Sequence, residues 1–196
     1  MQSREELSRR SILLAGSQTA TAVAILAGAG AEALAAPDTR TALKDYDPIR
    51  TELVMDLVVT CSSPEKMAPS SASKDGNRDS IWPIIGGRFQ GPGISGTVIP
   101  GGGDFPVERP DGAVVIDALY RLKTTDGVTI IIHNRGLGYS NDKYRLVPEF
   151  IAPVGKYDWL NKSIFLCTLV DPVPTHMALA KGPNENDRLL QVHRVL

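Results

Sequence analysis

From residue 52 onward, apolar and polar positions alternate along most of the chain. Leu53, Met55, Leu57, Val59 and Cys61 share one parity and Val54, Asp56, Val58 and Thr60 the other, which is the period of two that predicts a strand over residues 52–61. Residues 113–124 repeat the pattern with a dry side of Val114, Ile116, Ala118, Tyr120 and Leu122 and a wet side carrying Asp117, Arg121 and Lys123. Asp126-Gly127 follows, the dipeptide that best tolerates the positive φ of a tight hairpin. It predicts a return strand over 128–135, with Val128, Ile130, Ile132 and Asn134 on one face and Thr129, Ile131, His133 and Arg135 on the other.

Shorter strands are predicted over 82–90, 94–99 and 144–150, the last marked by Pro148 as an edge, bulge or bend. The nearly all-apolar run 160–170 and the alternating run 188–196 complete the set, with a short strand over 177–181. Residues 62–80, rich in Ser, Pro, Lys and Asp, read as a long exposed loop, and Pro110-Asp111-Gly112 as a turn. About eight strands in sequential hairpins, with no amphipathic helix of useful length, make an all-β antiparallel sheet that must hide its edges. Closure into an up-and-down β-barrel of lipocalin-like or calycin-like architecture does so; a two-sheet sandwich is the competing arrangement.

The stretch 86–105 holds eight of the 18 glycines. Within it, Gly91-Pro92-Gly93-Ile94-Ser95-Gly96 matches G-x-G-x-x-G, with Asp111 and Asp117 further on. A dinucleotide fingerprint must open a helix, whereas here Thr97-Val98-Ile99 is β-prone and Pro100 and three glycines follow. The glycines instead mark bends that turn a small closing sheet, leaving Asp104 at a strand end or barrel mouth.

The 196 residues, 42% apolar and 22% charged, suit one globular domain, and a net charge of -1 offers no basic footprint for nucleic acid. Residues 1–35 read as a separate leader. Arg9-Arg10 precede a mildly apolar segment, and Ala33-Leu34-Ala35 has the small-x-small form of a processing site. This predicts twin-arginine export to the periplasm or beyond, with no stable membrane insertion once the signal is removed. Residues 36–51 are then a polar lead-in and 52–196 the barrel domain. Cys61 and Cys167 each sit in an apolar strand-like run without a C-x-x-C partner, and two free buried thiols are expected.

A family resemblance rests on ordered motifs. The run Ile84-Ile85-Gly86-Gly87-Arg88-Phe89-Gln90-Gly91-Pro92-Gly93 continues through Gly96-Thr97-Val98-Ile99-Pro100-Gly101-Gly102 and Asp104-Phe105. Later come Arg109-Pro110-Asp111-Gly112, Tyr120 with Leu122, Asp126-Gly127, Asn134 with Gly136, Tyr144-Arg145, Pro148, Phe150 and Tyr157 with Trp159-Leu160-Asn161. Together these resemble the bacterial and fungal family catalogued as domain of unknown function 3237, over about residues 52–196. The resemblance implies a small β-barrel. The chain departs from the family pattern at Gln90 and Ile151, where members typically carry Glu, and at Phe105, where they carry Trp.

The chemistry expected of such a barrel starts with Asp104, a carboxylate whose pKa would rise at an apolar mouth, making it an acid or base near neutrality; capping the glycine turn is its structural alternative. Arg145 is a candidate for steadying negative charge, although its parity opposes that of Tyr144, Leu146 and Phe150. Tyr120, Asn134, Trp159 and Asn161 are candidate pocket-wall groups, and Gln90 joins them through the family motif. His133, His176 and His193 lack metal-ligand spacing, and Gly93-Ile94-Ser95-Gly96 lacks the setting of a nucleophile elbow, so neither a metal nor a cofactor is expected. The expected function is proton transfer, as an isomerase, cyclase or lyase/hydratase step, on a small aromatic or polycyclic metabolite. A non-catalytic carrier of a small hydrophobic molecule is the alternative, and a solid structural barrel the third possibility. A homo-oligomer would use the 62–80 loop or the 144–150 strand.

Overall fold

The computed structural model describes residues 48–68, 71, 78–139 and 143–196. The expected leader and most of the lead-in lie outside the described residues, as does much of the 62–80 loop. Among the described residues the strands are β1 Thr51–Ser62, β2 Glu65–Lys66, β3 Arg78–Gly91, β4 Ile94–Asp104, β5 Val107–Glu108, β6 Val114–Thr124, β7 Thr129–Gly138, β8 Tyr144–Ile151, β9 Phe165–Val170 and β10 Glu185–Val195. Each long strand pairs antiparallel with the next, and β1 closes the circle by pairing with both β3 and β10. The result is the expected up-and-down barrel of eight strands, with β2 and β5 as two-residue additions. Closure removes the free edges that an antiparallel sheet of this length would otherwise present.

The dry faces anticipated for β1, β6, β7 and β8 all point inward. Leu57, Leu122, Ile130, Ile132 and Phe165 are essentially inaccessible to solvent, and full burial of each such side chain stabilises the fold by about 1.5–3 kcal/mol. A register shift between Leu53 and Met55 ends the β1 alternation early, so Leu53 is exposed. The glycine stretch forms β3 and β4 with a tight turn at its tip, Gly93 having φ +72°, and no helix follows the G-x-G-x-x-G match. Two bulges, between Ile84 and Arg88 and between Ile99 and Gly103, bend this hairpin. At Gly87 (φ +146°) a Cβ would lie 2.2 Å from the Val58 carbonyl oxygen, so the barrel wall closes only because no side chain is there.

Two expectations fail. The apolar run 160–170 is not one strand: Asp158–Lys162 forms a 3-10 helix whose Leu160 is buried, and β9 begins at Phe165. The run 177–181 joins no ladder and is preceded by a 3-10 turn, Thr175–Met177. The expectation that Pro148 marks an edge holds locally: β8 pairs with β7 along its whole length but with β9 only over Tyr144–Leu146, so its second side is unpaired from Val147 onward. Pro148 falls beyond that second ladder, where its missing N–H leaves no bond unmade.

The two barrel ends differ. At one end the 3-10 helix plugs the opening. Phe150 and Phe165 meet edge to face at 4.9 Å, Trp159 lies 6.0 Å from Phe165, and the Tyr157 hydroxyl donates to Asp126 at 2.9 Å. At the other end the β9–β10 connection crosses the outer wall and is clasped by Asp187. That carboxylate accepts hydrogen bonds from Thr60 Oγ1 at 2.6 Å and from the backbone N–H groups of Leu179 and Ala180 at 2.5 and 2.8 Å. Burial alone would raise the Asp187 pKa; these donors outweigh it and hold the group below the ordinary value.

Candidate functional site

Strand register aligns Trp82 of β3, Asp104 of β4, Ala118 of β6, Asn134 of β7 and Pro148 of β8 as directly opposed neighbours across the wall. Trp82, Ala118, Asn134 and Pro148 share the inward parity of their strands, and Asp104 follows because the β4 bulge shifts the register by two residues and so keeps it in phase with Ile94 and Val98 and opposite Ala118. Asp104 thus sits just inside the unplugged end. Its Oδ1 accepts the Asp117 backbone N–H at 3.1 Å, while the Phe105 N–H beside it donates to the Asp117 carbonyl at 3.0 Å. Burial is the largest influence on this carboxyl and pushes its pKa up to about 6, with the Asp117 charge adding to the rise. The two N–H groups and the Arg188 guanidinium pull the other way without cancelling it. Asp104 therefore serves the bulge as a cap and is also poised to take and give protons near neutrality.

Around Asp104 lies a cavity of about 150 Å³, lined by Cys61, Trp82, Glu108, Tyr144, Asp171 and Arg188, with Val114, Ile116 and Leu169 as apolar wall. Arg188 was not distinguished in the sequence because both faces of the 188–196 run carry apolar residues. In the barrel it lies opposite Val59 on β1, its Nη1 donates to the Asp187 carbonyl at 2.9 Å, and its guanidinium lies 5.3 Å from the Trp82 ring centroid. Its Nη1 is also 3.5 Å from Asp171 Oδ2. Tyr144 is seated over Gly138, where an added Cβ would come within 2.3 Å of its ring.

Deeper in the barrel are Tyr120 and Asn134, at 2% and 1% exposure. The Tyr120 hydroxyl and Asn134 Oδ1 both lack a hydrogen-bond partner. Burial first, then the neighbouring Cys167, drives the Tyr120 pKa well above its ordinary value, while the adjacent Asn134 amide works the other way and Cys61 and Asp104 add to the rise. Both cysteines are free, and burial pushes each thiol up to about 12, so they are neutral and unreactive at physiological pH. Among the described residues no cluster of three or more His, Cys, Asp or Glu is placed to hold a metal ion.

The remaining candidates do not join Asp104. Arg145 is exposed on the outer wall, where strand parity sends it, and donates to the Tyr144 carbonyl at 2.8 Å. Gln90 is also outside, opposite Asp56, in a surface depression of about 780 Å³ that brings no group toward Asp104. Trp159 and Asn161 belong to the plug at the far end. Asn161 accepts the Ala152 N–H and donates to the Ala152 carbonyl, both at 2.8 Å, a structural role. The three departures from the resembled pattern, Gln90, Phe105 and Ile151, all lie on exposed positions and leave the interior unchanged.

Residues 49–170 match the family described as "Protein of unknown function (DUF3237)". The chain belongs to this family. A UPF0311 protein of Clostridium acetobutylicum is 33% identical over 107 residues, covering 46% of this chain and 68% of that protein. One of Rhodopseudomonas palustris is 30% identical over 103 residues, covering 44% and 67%. Among solved structures, a protein of unknown function from Clostridium acetobutylicum superposes with a TM-score of 0.64 at 24% identity, over 78% of this chain and all of that one. A beta-barrel-like protein from Acinetobacter baumannii has a TM-score of 0.59 at 19% identity, over 77% and 99%. An enzyme from Penicillium herquei has a TM-score of 0.58 at 22% identity, over 77% and 97%. At these identities the structural likeness establishes the barrel fold.

Proposed function

We propose that this DUF3237 barrel is a proton-transfer enzyme acting on a small aromatic metabolite, with Asp104 as the acid/base group. The observation that carries the reading is a carboxyl raised to about 6 that faces a cavity with Arg188 beside it. Asp104 as carboxylate takes a proton from the substrate. The negative charge that leaves Asp104 then resides on the substrate next to the guanidinium, which steadies it until the proton is returned at another atom. Arg188 takes the part that Arg145 was expected to play. Isomerisation, cyclisation and lyase or hydratase steps all share this proton movement.

A carrier of a hydrophobic molecule is less well supported, because the interior below the mouth is filled by packed side chains and the cavity is small beside the ~300–1,000 Å³ of ordinary ligand pockets. A multi-ring metabolite would place one ring in the cavity and leave the others projecting from the open end. We propose in addition that the protein is exported by the twin-arginine route. The activity is tested by incubating the native protein and Asp104→Asn with a metabolite extract and following both bound ligand and converted product by mass spectrometry. Product from the native protein alone is expected; equal turnover by Asp104→Asn would overturn the assignment.

A further inference from the structure

Resting on that reading of Asp104, we propose that Asp117 is its positioning residue. The Asp117 backbone N–H fixes the Asp104 carboxyl, and the Asp117 carboxylate, anchored on the outer wall by His133, favours the protonated form of Asp104 from across the barrel wall.

The first observation is a substituted ladder bond. Asp104 is directly opposite Ala118, and β5 resumes the same register with Val107 opposite Val115, so Phe105 faces Asp117 between them. In an antiparallel pair of the hydrogen-bonded kind the two residues exchange both N–H···O bonds. Here the Phe105 N–H donates to the Asp117 carbonyl at 3.0 Å, but the Asp117 N–H donates to Asp104 Oδ1 at 3.1 Å. The Asp104 side chain stands where the Phe105 carbonyl would complete the pair. It cannot turn away without stranding that N–H, so the carboxyl is held at the cavity it lines.

The second observation is where this leaves the Asp117 carboxylate. Three covalent bonds separate its carboxyl carbon from the N–H that binds Asp104, which keeps the two carboxylates within about 7 Å of each other. One lines the cavity, while the other belongs to the wet face of β6 and is half-exposed. Burial is the larger influence on the Asp104 carboxyl, and the Asp117 charge adds to it in the same direction.

The third observation is what surrounds each group. His133 Nε2 lies 2.5 Å from Asp117 Oδ1 and anchors it. Arg135 is directly opposite Asp117 on β7, but its guanidinium bonds Glu149 of β8 at 2.9 Å. Asp104 is faced in the cavity by Cys61, Glu108, Tyr144, Asp171 and Arg188, and Tyr120 is coupled to it from below. Asp117 lies outside that cavity, so substituting it leaves the lining intact.

The test is an NMR titration of the Asp104 side-chain carboxyl between about pH 4 and 8, its resonance assigned by its loss in Asp104→Asn. Asp117→Asn removes the charge and keeps the backbone N–H. It should lower the Asp104 midpoint by about half a unit or more, about a threefold loss of proton affinity. Asp117→Ser provides a second charge-free variant with the same expectation. Asp117→Glu keeps the charge and should retain more than half of the native effect. Glu52→Gln removes an equal charge near the opposite end of β1 from Cys61 and should leave the midpoint within about 0.2 unit. The gap between the native protein and Asp117→Asn should narrow as salt is raised from about 0.05 to 0.5 M, because the Asp117 carboxylate is half-exposed. An unchanged or raised midpoint in both charge-free variants, an equal fall in Glu52→Gln, or a fall in Asp117→Glu as large as in Asp117→Asn would overturn the inference. Turnover in the metabolite extract separates it from the proposed activity. A midpoint that falls in Asp117→Asn while Asp104→Asn keeps full turnover sinks the acid/base reading alone. An unchanged midpoint with inactive Asp104→Asn sinks the positioning role alone. With both correct, the pH at which turnover reaches half its plateau falls in Asp117→Asn by the same amount as the midpoint.

Discussion

Asp104→Asn is expected to stabilise the barrel at neutral pH. Burial raises the Asp104 pKa from an ordinary 3.8 to about 6 in the folded state, so the folded protein holds this proton more tightly than the unfolded chain does. Below about pH 4 the group is neutral in both states and contributes nothing. As pH rises from there to about 6, the unfolded chain ionises first, and each pH unit of that gap lowers stability by about 1.4 kcal/mol. Above about 6 the loss levels off at about 3 kcal/mol, reduced to about 1–2 because the mouth admits some water. Asparagine carries no charge and its Oδ1 still accepts the Asp117 N–H, so the variant recovers most of this difference at pH 8 and almost none at pH 4. Urea unfolding at half-unit intervals from pH 4 to 8 measures it, with a rise in midpoint of about 0.5–1 M expected at pH 8 for a slope of about 2 kcal/mol per molar. A difference between the two proteins that does not vary with pH would refute the argument, because it would mean that Asp104 is not desolvated in the fold.

Asp187→Ala should cost about 2–4 kcal/mol in the same assay, since it strands the Thr60 hydroxyl and two backbone N–H groups, whereas Asp187→Asn should retain part of the clasp. Because the folded Asp187 pKa is lowered, its contribution is present above the unfolded value of about 4 and fades as pH falls through the folded one. Leu122→Ala, made at a position with 0% exposure, should destabilise by about 2–5 kcal/mol at every pH, which serves as a control for the pH-dependent variants. Gly138→Ala should displace the Tyr144 ring from the mouth, visible as reduced turnover in the metabolite-extract assay with a much smaller change in unfolding midpoint, because the clash is with a side chain that can turn away.

The barrel was largely legible in the sequence. Alternation is a property of a few consecutive residues, so the inward faces of β1, β6, β7 and β8 could be read directly, and Asp126-Gly127 marked a hairpin whose Gly127 has φ +86°. Runs without alternation carried no such information. Within 160–170 only residues 164–170 are nearly continuously apolar; Asn161, Lys162 and Ser163 interrupt the run, and there Asp158–Lys162 turns as a 3-10 helix that packs Trp159 against Phe165. The site divides in the same way. Asp104 was readable because its glycines announced a bend, and parity already placed Arg145 outside. Arg188 was not, since it lies 84 positions along the chain from Asp104 and reaches the same cavity only when β10 pairs with β1 and the circle closes. The sequence by itself determined which residues of the alternating strands face inward; the tertiary structure decided which of them meet at one height and how much water reaches them. Facing direction follows from the local pleat, whereas meeting and desolvation depend on bulges, register and closure, which belong to all eight strands at once.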